Sequence, residues 1–435
     1  MKLSNWGKYP LIEADIITAR SVQGIREYLD DLGFCISRGL GRCYGDSSLS
    51  KNIVSMLKLD RFISFDEEGG VLTCEAGVSL QTILDLFIPR GWFLSVTPGT
   101  KFITVGGAIA SDVHGKNHHK DGCFSEHLLS IDIMLYNGKI IKCSREENKD
   151  LFLATCGGMG LTGIILNASF KLKKIETAYL NQEIIQCKNI DVIMEKFEES
   201  KDYTYSVAWI DCLKKGDNTG RSILILGEFA KKEAIPKNPL RIKNKFKLNI
   251  LFEFPGFFLN KFTVELFNEL YYKKNKSAKS IIDYDAFFYP LDSIHNWNRI
   301  YGKRGFTQYQ FVIPKEASKE GLKKILTKIS GRKMGSFLAV LKLFGKSNEN
   351  PLSFPMEGYT LALDFPISNQ VLWFLNELDK IVLDYGGRLY LAKDVRMSKN
   401  MFVNSYSQYQ KFLEIKNKYD PYKKFQSLQS RRLMF

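Results

Sequence analysis

Residues 98–123 read PGTKFITVGGAIASDVHGKNHHKDGC, and the fold is decided by how this stretch is read. It holds five glycines, Gly99, Gly106, Gly107, Gly115 and Gly122, and three of the chain's five histidines, His114, His118 and His119. Glycine has no Cβ, so a backbone this rich in it can approach a flat or phosphorylated ligand closely. Ala108, Ala110 and Ser111 extend the same thin-walled character. The stretch predicts a cofactor seat with a histidine at its rim.

Working outward, the segments on either side alternate short apolar strands with helical spacing. Residues 21–32 and 79–88 predict helices, the second with a serine start signal and Pro89 beyond its end. Strands are predicted at 34–37, 53–59, 62–65, 71–75 and 129–136, with Asn137-Gly138 as a hairpin turn into 139–143. Beyond about Thr177 longer strands are predicted at 203–211, 222–227, 306–314, 337–344 and 359–366. Helices are predicted at 315–329 and 369–385. The pattern implies an α+β chain with a strand-rich second domain.

Two further glycine clusters flank the first, RGLGRCYGD at 38–46 and CGGMGLTG at 156–163. The loop at 38–46 can turn its amides to a diphosphate. Its spacing is not that of the dinucleotide fingerprint, and no helix opens there. Singly, each cluster is as well explained by a turn or tight packing. Together, and in this order, they resemble the FAD-binding domain of the vanillyl-alcohol-oxidase and p-cresol-methylhydroxylase superfamily. Within it the chain is most similar to the decaprenylphosphoryl-β-D-ribose 2-oxidase family. TVGGAIASDVHGKNHH, GGMGLTGII, YTYSVAWID, WNRIYG, QYQFVIP, LKLFG, PLSFP, DFPI, GGRLYLAKDVR and the late RRL carry the resemblance along nearly the whole chain.

The resemblance implies a two-domain flavoprotein, with residues 1–177 forming a PCMH-type FAD-binding domain. Residues 178–387 would form a substrate-binding cap, and 388–435 would return to the first domain. It assigns FAD contacts to Arg38, Gly39, Leu40, Gly41, Arg42, Cys43, Tyr44, Gly45 and Asp46 in the first loop. In the second it assigns Pro98, Gly99, Thr100, Val105, Gly106, Gly107, Ala110, Ser111, His114 and Gly115. Gly160, Gly163, Ile164 and Tyr390 complete the set. Relatives in the wider superfamily tether the flavin through a histidine in the first loop. Here that loop has none, and the closest members have serine where this chain has Cys43, so the FAD is expected to be held without a covalent bond.

The resemblance places His114 beside the flavin and Lys393 by the sugar and phosphate, and these are the candidate catalytic residues. Tyr44, Trp209, Gln310, Lys342, Thr360, Ala362 and Lys393 map to the substrate pocket. Lys342 draws notice by itself, because a lysine between Leu341 and Leu343 needs a partner for its ammonium. Trp297 is a further candidate, as pocket wall or as core. His114, His118 and His119 are not expected to bind metal, since Gly115 disfavours a helix and no zinc pattern is completed. The chain departs from the mycobacterial members at three pocket positions. Ala362 stands for cysteine, Thr360 for asparagine and Phe288 for tyrosine, which leaves oxidation chemistry intact and bears on the sugar, the lipid and cysteine-directed inhibitors.

Composition bounds the rest. With 435 residues, 45% hydrophobic and 25% charged, the chain is of globular make-up and long enough for two or three cores. There is no apolar run of about 18 residues to span a membrane, and no signal peptide is expected from the opening residues, which turn polar and acidic early. The eight cysteines form no C-x-x-C pair, which fits reduced cytosolic thiols. Net charge is +15, compatible with nucleic acid, anionic lipid, a phosphorylated substrate or a lysine-rich surface. The basic run 231–247 leads into LNILFEFPGFFLNKF, which favours an anionic membrane surface over nucleic acid. The plain alternative is a solvated loop entering a buried helix.

The expected function is FAD-dependent oxidation of a sugar secondary alcohol, the C2 hydroxyl of a polyprenyl-phosphate-linked ribose. The hydride would go to flavin N5, and an NADH-dependent short-chain reductase would complete an epimerisation for cell-envelope polysaccharide. Quinone or oxygen would reoxidise the flavin, and the protein would work in the cytoplasm at the inner face of the plasma membrane. One rival is a soluble alditol or aldonolactone oxidase using oxygen. A rival of another class is a basic membrane- or nucleic-acid-binding protein with a vestigial flavin fold.

Overall fold

The computed structural model describes residues 1–242, 247–256, 260–336 and 338–435. Its first part is built on two sheets. In the smaller, Asn52–Ser55 lies between Asp15–Thr18 and Ile36–Arg38, all parallel. The helix Val22–Asp31 makes the crossover and buries Ile25 and Leu29, and the Ser21 hydroxyl accepts from Gly24 N–H at 3.0 Å to cap it. The strand Ile36–Arg38 therefore ends where the first glycine loop begins.

The second sheet is antiparallel, in the order Ile140–Ser144, Leu128–Met134, Ile164–Lys174, Val71–Glu75, Phe62–Asp66. Trp92–Leu94 pairs with the far end of Ile164–Lys174. The Asn137-Gly138 turn joins the first two strands, with Gly138 in the left-handed region at φ 75°. The predicted helix at 79–88 spans Leu80–Phe87, capped by Ser79.

From Tyr179 the chain builds an eight-stranded antiparallel sheet. Its order is Ala278–Asp283, Tyr179–Cys187, Ser222–Phe229, Tyr205–Ile210, Ala339–Phe344, Gly358–Pro366, Phe306–Pro314, Arg388–Leu389. Helices Ile190–Glu199, Lys315–Arg332 and Asn369–Asp384 cover one face, burying Leu322, Ile325, Phe374 and Leu378 among others in the main core. The opposite face is left for the N-terminal sheets and their loops. This is the expected α+β, two-part architecture.

Three elements differ from the sequence expectations. Tyr179–Cys187 is a strand that sequence patterning does not announce, because it is half-buried along both faces and shows no clean alternation. Arg388–Leu389, expected to open the returning segment, is still paired in the large sheet. Further along, Cys35 N–H donates to Lys424 O at 2.8 Å, and Gln426 N–H donates to Cys35 O at 2.9 Å. Finally, residues 104–111, glycine-rich and expected as a thin wall, form the short helix Val105–Ala110. Gly106 permits it, since a Cβ there would lie 3.1 Å from the Ala76 Cβ.

The basic-aromatic insertion about 231–262 is only partly described, with 243–246 and 257–259 outside the described residues, as is Phe337 of the strand expected at 337–344. Its basic beginning is tied to the body. Lys231 pairs with Glu176 at 2.7 Å, Ala178 N–H donates to Pro239 O, and Leu240 and Ile242 pack on the core of the sheet that contains Leu128–Met134. Among the described residues no helix is long and apolar enough to cross a membrane.

Candidate active site

Between the uncovered face of the large sheet and the glycine loops lies a cavity of about 400 Å³. Its first wall is the loop after Ile36–Arg38. Gly41 turns that loop at φ 62°, and the Arg38 guanidinium braces it by donating to Ser4 O at 3.0 Å and to Asn5 Oδ1. Arg42 lies over the Trp6 ring at 4.0 Å. The second wall is the quoted segment. A Cβ on Gly99 would meet nothing within 4 Å, and one on Gly107 only Thr104 Oγ1 at 3.2 Å. That is a cradle a ligand can fill. The third glycine cluster contributes Met159 and Gly160.

Strand alternation supplies the floor. Successive side chains point to opposite faces, so Gln308 and Gln310, Val340 and Lys342, Thr360 and Ala362, and Val207 and Trp209 share the cavity face. Gln310 stands opposite Ala362, and Lys342 opposite Thr360. Leu341, Leu361 and Leu363, at the intervening positions, point into the core.

His114 joins wall and floor. Its Nε2 accepts from the Gln310 amide at 3.1 Å, and that amide also reaches Thr360 Oγ1 at 3.4 Å. Phe344, Phe354 and Tyr390 surround the imidazole at 4.8, 5.6 and 5.1 Å between ring centroids. Burial, then the charges of Lys342, His118 and Lys393, hold its pKa well below the usual histidine value. The ring is therefore neutral, and its buried Nδ1 has no hydrogen-bond partner among the described residues. An orphaned imidazole nitrogen beside an open glycine cradle fits a flavin.

Three lysines enter the same space. Burial lowers Lys393 to about 7, an effect that Asp364 opposes and Lys342 reinforces. Burial lowers Lys342 to about 8 and, with Lys342 nearby, Lys116 to about 7. The Lys393 ammonium lies 3.8 Å from the Tyr44 ring centroid. Behind it, Asp364 accepts from Gln308 Nε2 at 2.7 Å and Tyr301 OH at 3.3 Å, and burial raises its carboxyl to about 7.

The cavity thus brings together all the residues assigned to substrate, Tyr44, Trp209, Gln310, Lys342, Thr360, Ala362 and Lys393. Of those assigned to FAD, residues 38–44, Pro98, Gly99, Thr100, Gly106, Gly107, Ala110, Ser111, His114, Gly160 and Tyr390 line it. Gly45, Asp46, Val105, Gly115, Gly163 and Ile164 do not. Each sits one layer behind: Gly45 touches the backbone of Asp394, Asp46 pairs with Arg432, and Val105 and Ile164 are core. Gly115 and Gly163 pack against Thr97 and Ile133. The three histidines part company: His118 Nδ1 accepts from Gly345 N–H and His119 Nε2 donates to Tyr203 O. Phe288 and Trp297 are also in the wall. Sequence reading missed Lys116, Gln308, Asp292 and Tyr271. Alternation from Gln310 would have given Gln308, and Lys116 directly follows the histidine-glycine pair; Asp292 and Tyr271 carry no local signal.

Comparison with known proteins agrees with this geometry. The FAD binding domain family matches residues 31–144, and the D-arabinono-1,4-lactone oxidase family matches residues 305–433. Decaprenylphosphoryl-beta-D-ribose oxidase of Mycolicibacterium smegmatis is 37% identical, over 99% of this chain and 97% of its own. L-gulonolactone oxidase of Mus musculus is 23% identical over 85% and 82%. D-arabinono-1,4-lactone oxidase of Yarrowia lipolytica is 28% identical over 38% and 32%. FAD is the cofactor, the glycine walls and His114 are the residues that would hold it, and the chain belongs to the decaprenylphosphoryl-β-D-ribose oxidase family of FAD-dependent oxidoreductases.

Proposed function

We propose that this enzyme oxidises the C2 hydroxyl of a polyprenyl-phosphate-linked pentose, with ribose as the best-supported sugar, to the 2-keto sugar. The observation that carries this is the trio Lys116, Lys342 and Lys393 at one cavity. Lys393 faces Asp364, whereas no carboxylate among the described residues acts on Lys116 or Lys342. An enclosed ammonium at either is costly without an anion to pair with, and a phosphosugar provides one where a free alditol or lactone does not. Gln308, Gln310 and Thr360 offer donors and acceptors for ring hydroxyls.

Bound FAD supplies the two-electron acceptor for the hydride that leaves C2. The protein's residues handle the proton and the pose. Lys393, as the free amine, takes the hydroxyl proton, so the products are the ketone, reduced cofactor and an ammonium at Nζ. Asp364 faces that ammonium and compensates its charge. His114 stays neutral and, through Gln310, fixes the orientation of the floor. The keto sugar must next be reduced, and an NADH-dependent short-chain reductase acting from the opposite face would complete an epimerisation. Quinone or oxygen would serve as the final electron acceptor, and the reaction would take place at the cytoplasmic face of the plasma membrane.

The test is anaerobic bleaching of the flavin absorbance. Polyprenyl-phosphoryl ribose should bleach it fully, and free ribitol or an aldonolactone at equal concentration should not. Match to the lactone oxidase family over 305–433 makes aldonolactone oxidation the specific rival. Rapid bleaching by lactones, with none by the phosphosugar, decides for the rival.

A further inference from the structure

The helix Lys261–Lys274 is apolar on two sides. Inward, Val264 and Asn268 are buried, and Asn268 Nδ2 donates to Asp211 Oδ1 at 2.8 Å. One turn further along that side, Tyr271 stands 5.0 Å from Trp209 between ring centroids, and both rings line the active-site cavity. Outward, Phe262, Leu266 and Leu270 follow one another at i, i+4 and i+8, a single stripe. They are 77%, 61% and 59% exposed. The preceding segment repeats the pattern, with Leu251 and Phe252 at 73% and 67%. That segment is joined to another part of the cavity lining, because Leu248–Asn249 pairs with Ile294–His295, next to Trp297. Exposed apolar surface therefore stands on two segments tied to the lining of the active-site cavity, where a monomeric soluble protein ordinarily shows only scattered residues.

Charge decides what covers it. Residues 261–279 hold five lysines against two glutamates. Lys261, Lys273 and Lys279 pair with Glu265, Glu269 and Glu183 at 3.4, 3.3 and 3.5 Å, Glu269 is shared with Arg221 at 2.8 Å, and the segment keeps a net positive charge. A second copy meeting this face about a twofold axis would set lysines against lysines. An anionic lipid surface offers the complementary charge and accepts the apolar stripe. A helix with such a stripe and basic flanks lies in the interfacial plane of a bilayer.

We propose that Phe262, Leu266 and Leu270 insert into the interface of an anionic bilayer and hold the cavity mouth, by way of Tyr271 and Trp209, at the level of lipid headgroups. The consequence for catalysis, delivery of a lipid-linked sugar without release into water, rests on the proposed function; the docking itself does not.

The experiment uses the holoprotein with vesicles of pure phosphatidylcholine or of equimolar phosphatidylcholine and phosphatidylglycerol. The protein should co-sediment with the mixed vesicles, weakly with the neutral ones, and less as salt rises. The triple variant F262S/L266S/L270S should bind the mixed vesicles about tenfold or more weaker while keeping its flavin absorbance and melting temperature. It should turn over a short-chain, water-soluble phosphosugar at the unaltered rate and slow only on substrate held in vesicles. Equal sedimentation of the triple variant and the original protein overturns the proposal. So does failure of the original to bind, or a concentration-dependent dimer that the triple variant abolishes. Should the protein bind vesicles but oxidise no phosphosugar, docking stands and the functional reading falls.

Discussion

Lys393 and His114 lie near the same chemistry, yet their surroundings set them apart. Burial brings Lys393 to about 7, where an amine is both available as a base and able to release its proton. His114, pressed down further by burial and by Lys342, His118 and Lys393, holds a proton poorly and serves as a neutral ring. A base must be unprotonated to act, so kcat/KM should climb as pH rises through about 7 and level off above it. Lys393→Ala should lower kcat by about a hundred- to ten-thousand-fold and abolish that rise. His114→Gln should slow turnover while the rise near neutral pH persists; a rise that vanishes with His114 would transfer the role of base to it. At Cys43 the prediction is chemical. Its Sγ lies 3.2 Å from Ser48 Oγ, the loop has no histidine, and acid precipitation should release all the flavin into the supernatant. Cys43→Ser should release the same amount, and flavin retained on the pellet of the original protein alone would identify a thioether.

Within the elements, the strand Gly358–Pro366 separates chemistry from stability by alternation. Thr360 and Ala362 face the cavity, and Leu361 and Leu363 face the helices. Ala362→Leu should raise KM or exclude the sugar with little change in melting temperature. Leu361→Ala should cost about 2–5 kcal/mol of stability in denaturant titration and leave the KM of the surviving enzyme unaltered. This strand was legible in the sequence, as were the serine cap at Ser79 and the three glycine loops, because each is a local rule. Lys342 was legible for a different reason, as a charge set between two leucines. What stayed hidden depends on contacts distant in the chain. Asp364 matters because Gln308 and Tyr301 donate to it and Lys393 faces it. Tyr271 reaches the cavity only because its helix docks against Trp209. Tyr179–Cys187 lacks a clean alternation because it is half-buried along both faces.

At the level of the whole molecule, the two loops that bracket the active site are fastened by the last turn of the chain. Arg432 Nη2 lies 2.9 Å from Asp46 Oδ1 and 2.8 Å from Asp394 Oδ2, and its other terminal nitrogen donates to Met397 O. Asp46 closes the first glycine loop, and Asp394 directly follows Lys393. Gly45 touches the Asp394 carbonyl, and Tyr44 N–H donates to Ala392 O at 3.1 Å, so the flavin loop and the lysine loop move as one piece only while their carboxylates are compensated. Both carboxylates are buried, and removing a partner from a buried ion pair leaves an uncompensated charge. Arg432→Met should therefore destabilise the protein by about 3–5 kcal/mol in denaturant unfolding. It should also accelerate loss of FAD on dilution, seen as recovery of free-flavin fluorescence. Arg431→Met provides the control. That neighbour lies over the exposed side of the same helix, 3.9 Å from the Phe34 ring, and its loss should cost under about 1 kcal/mol with FAD release unaltered. Equal effects of the two substitutions would reduce the Arg432 contact to ordinary surface pairing, whereas an effect confined to Arg432 makes the C-terminal turn a positioning element of the active site.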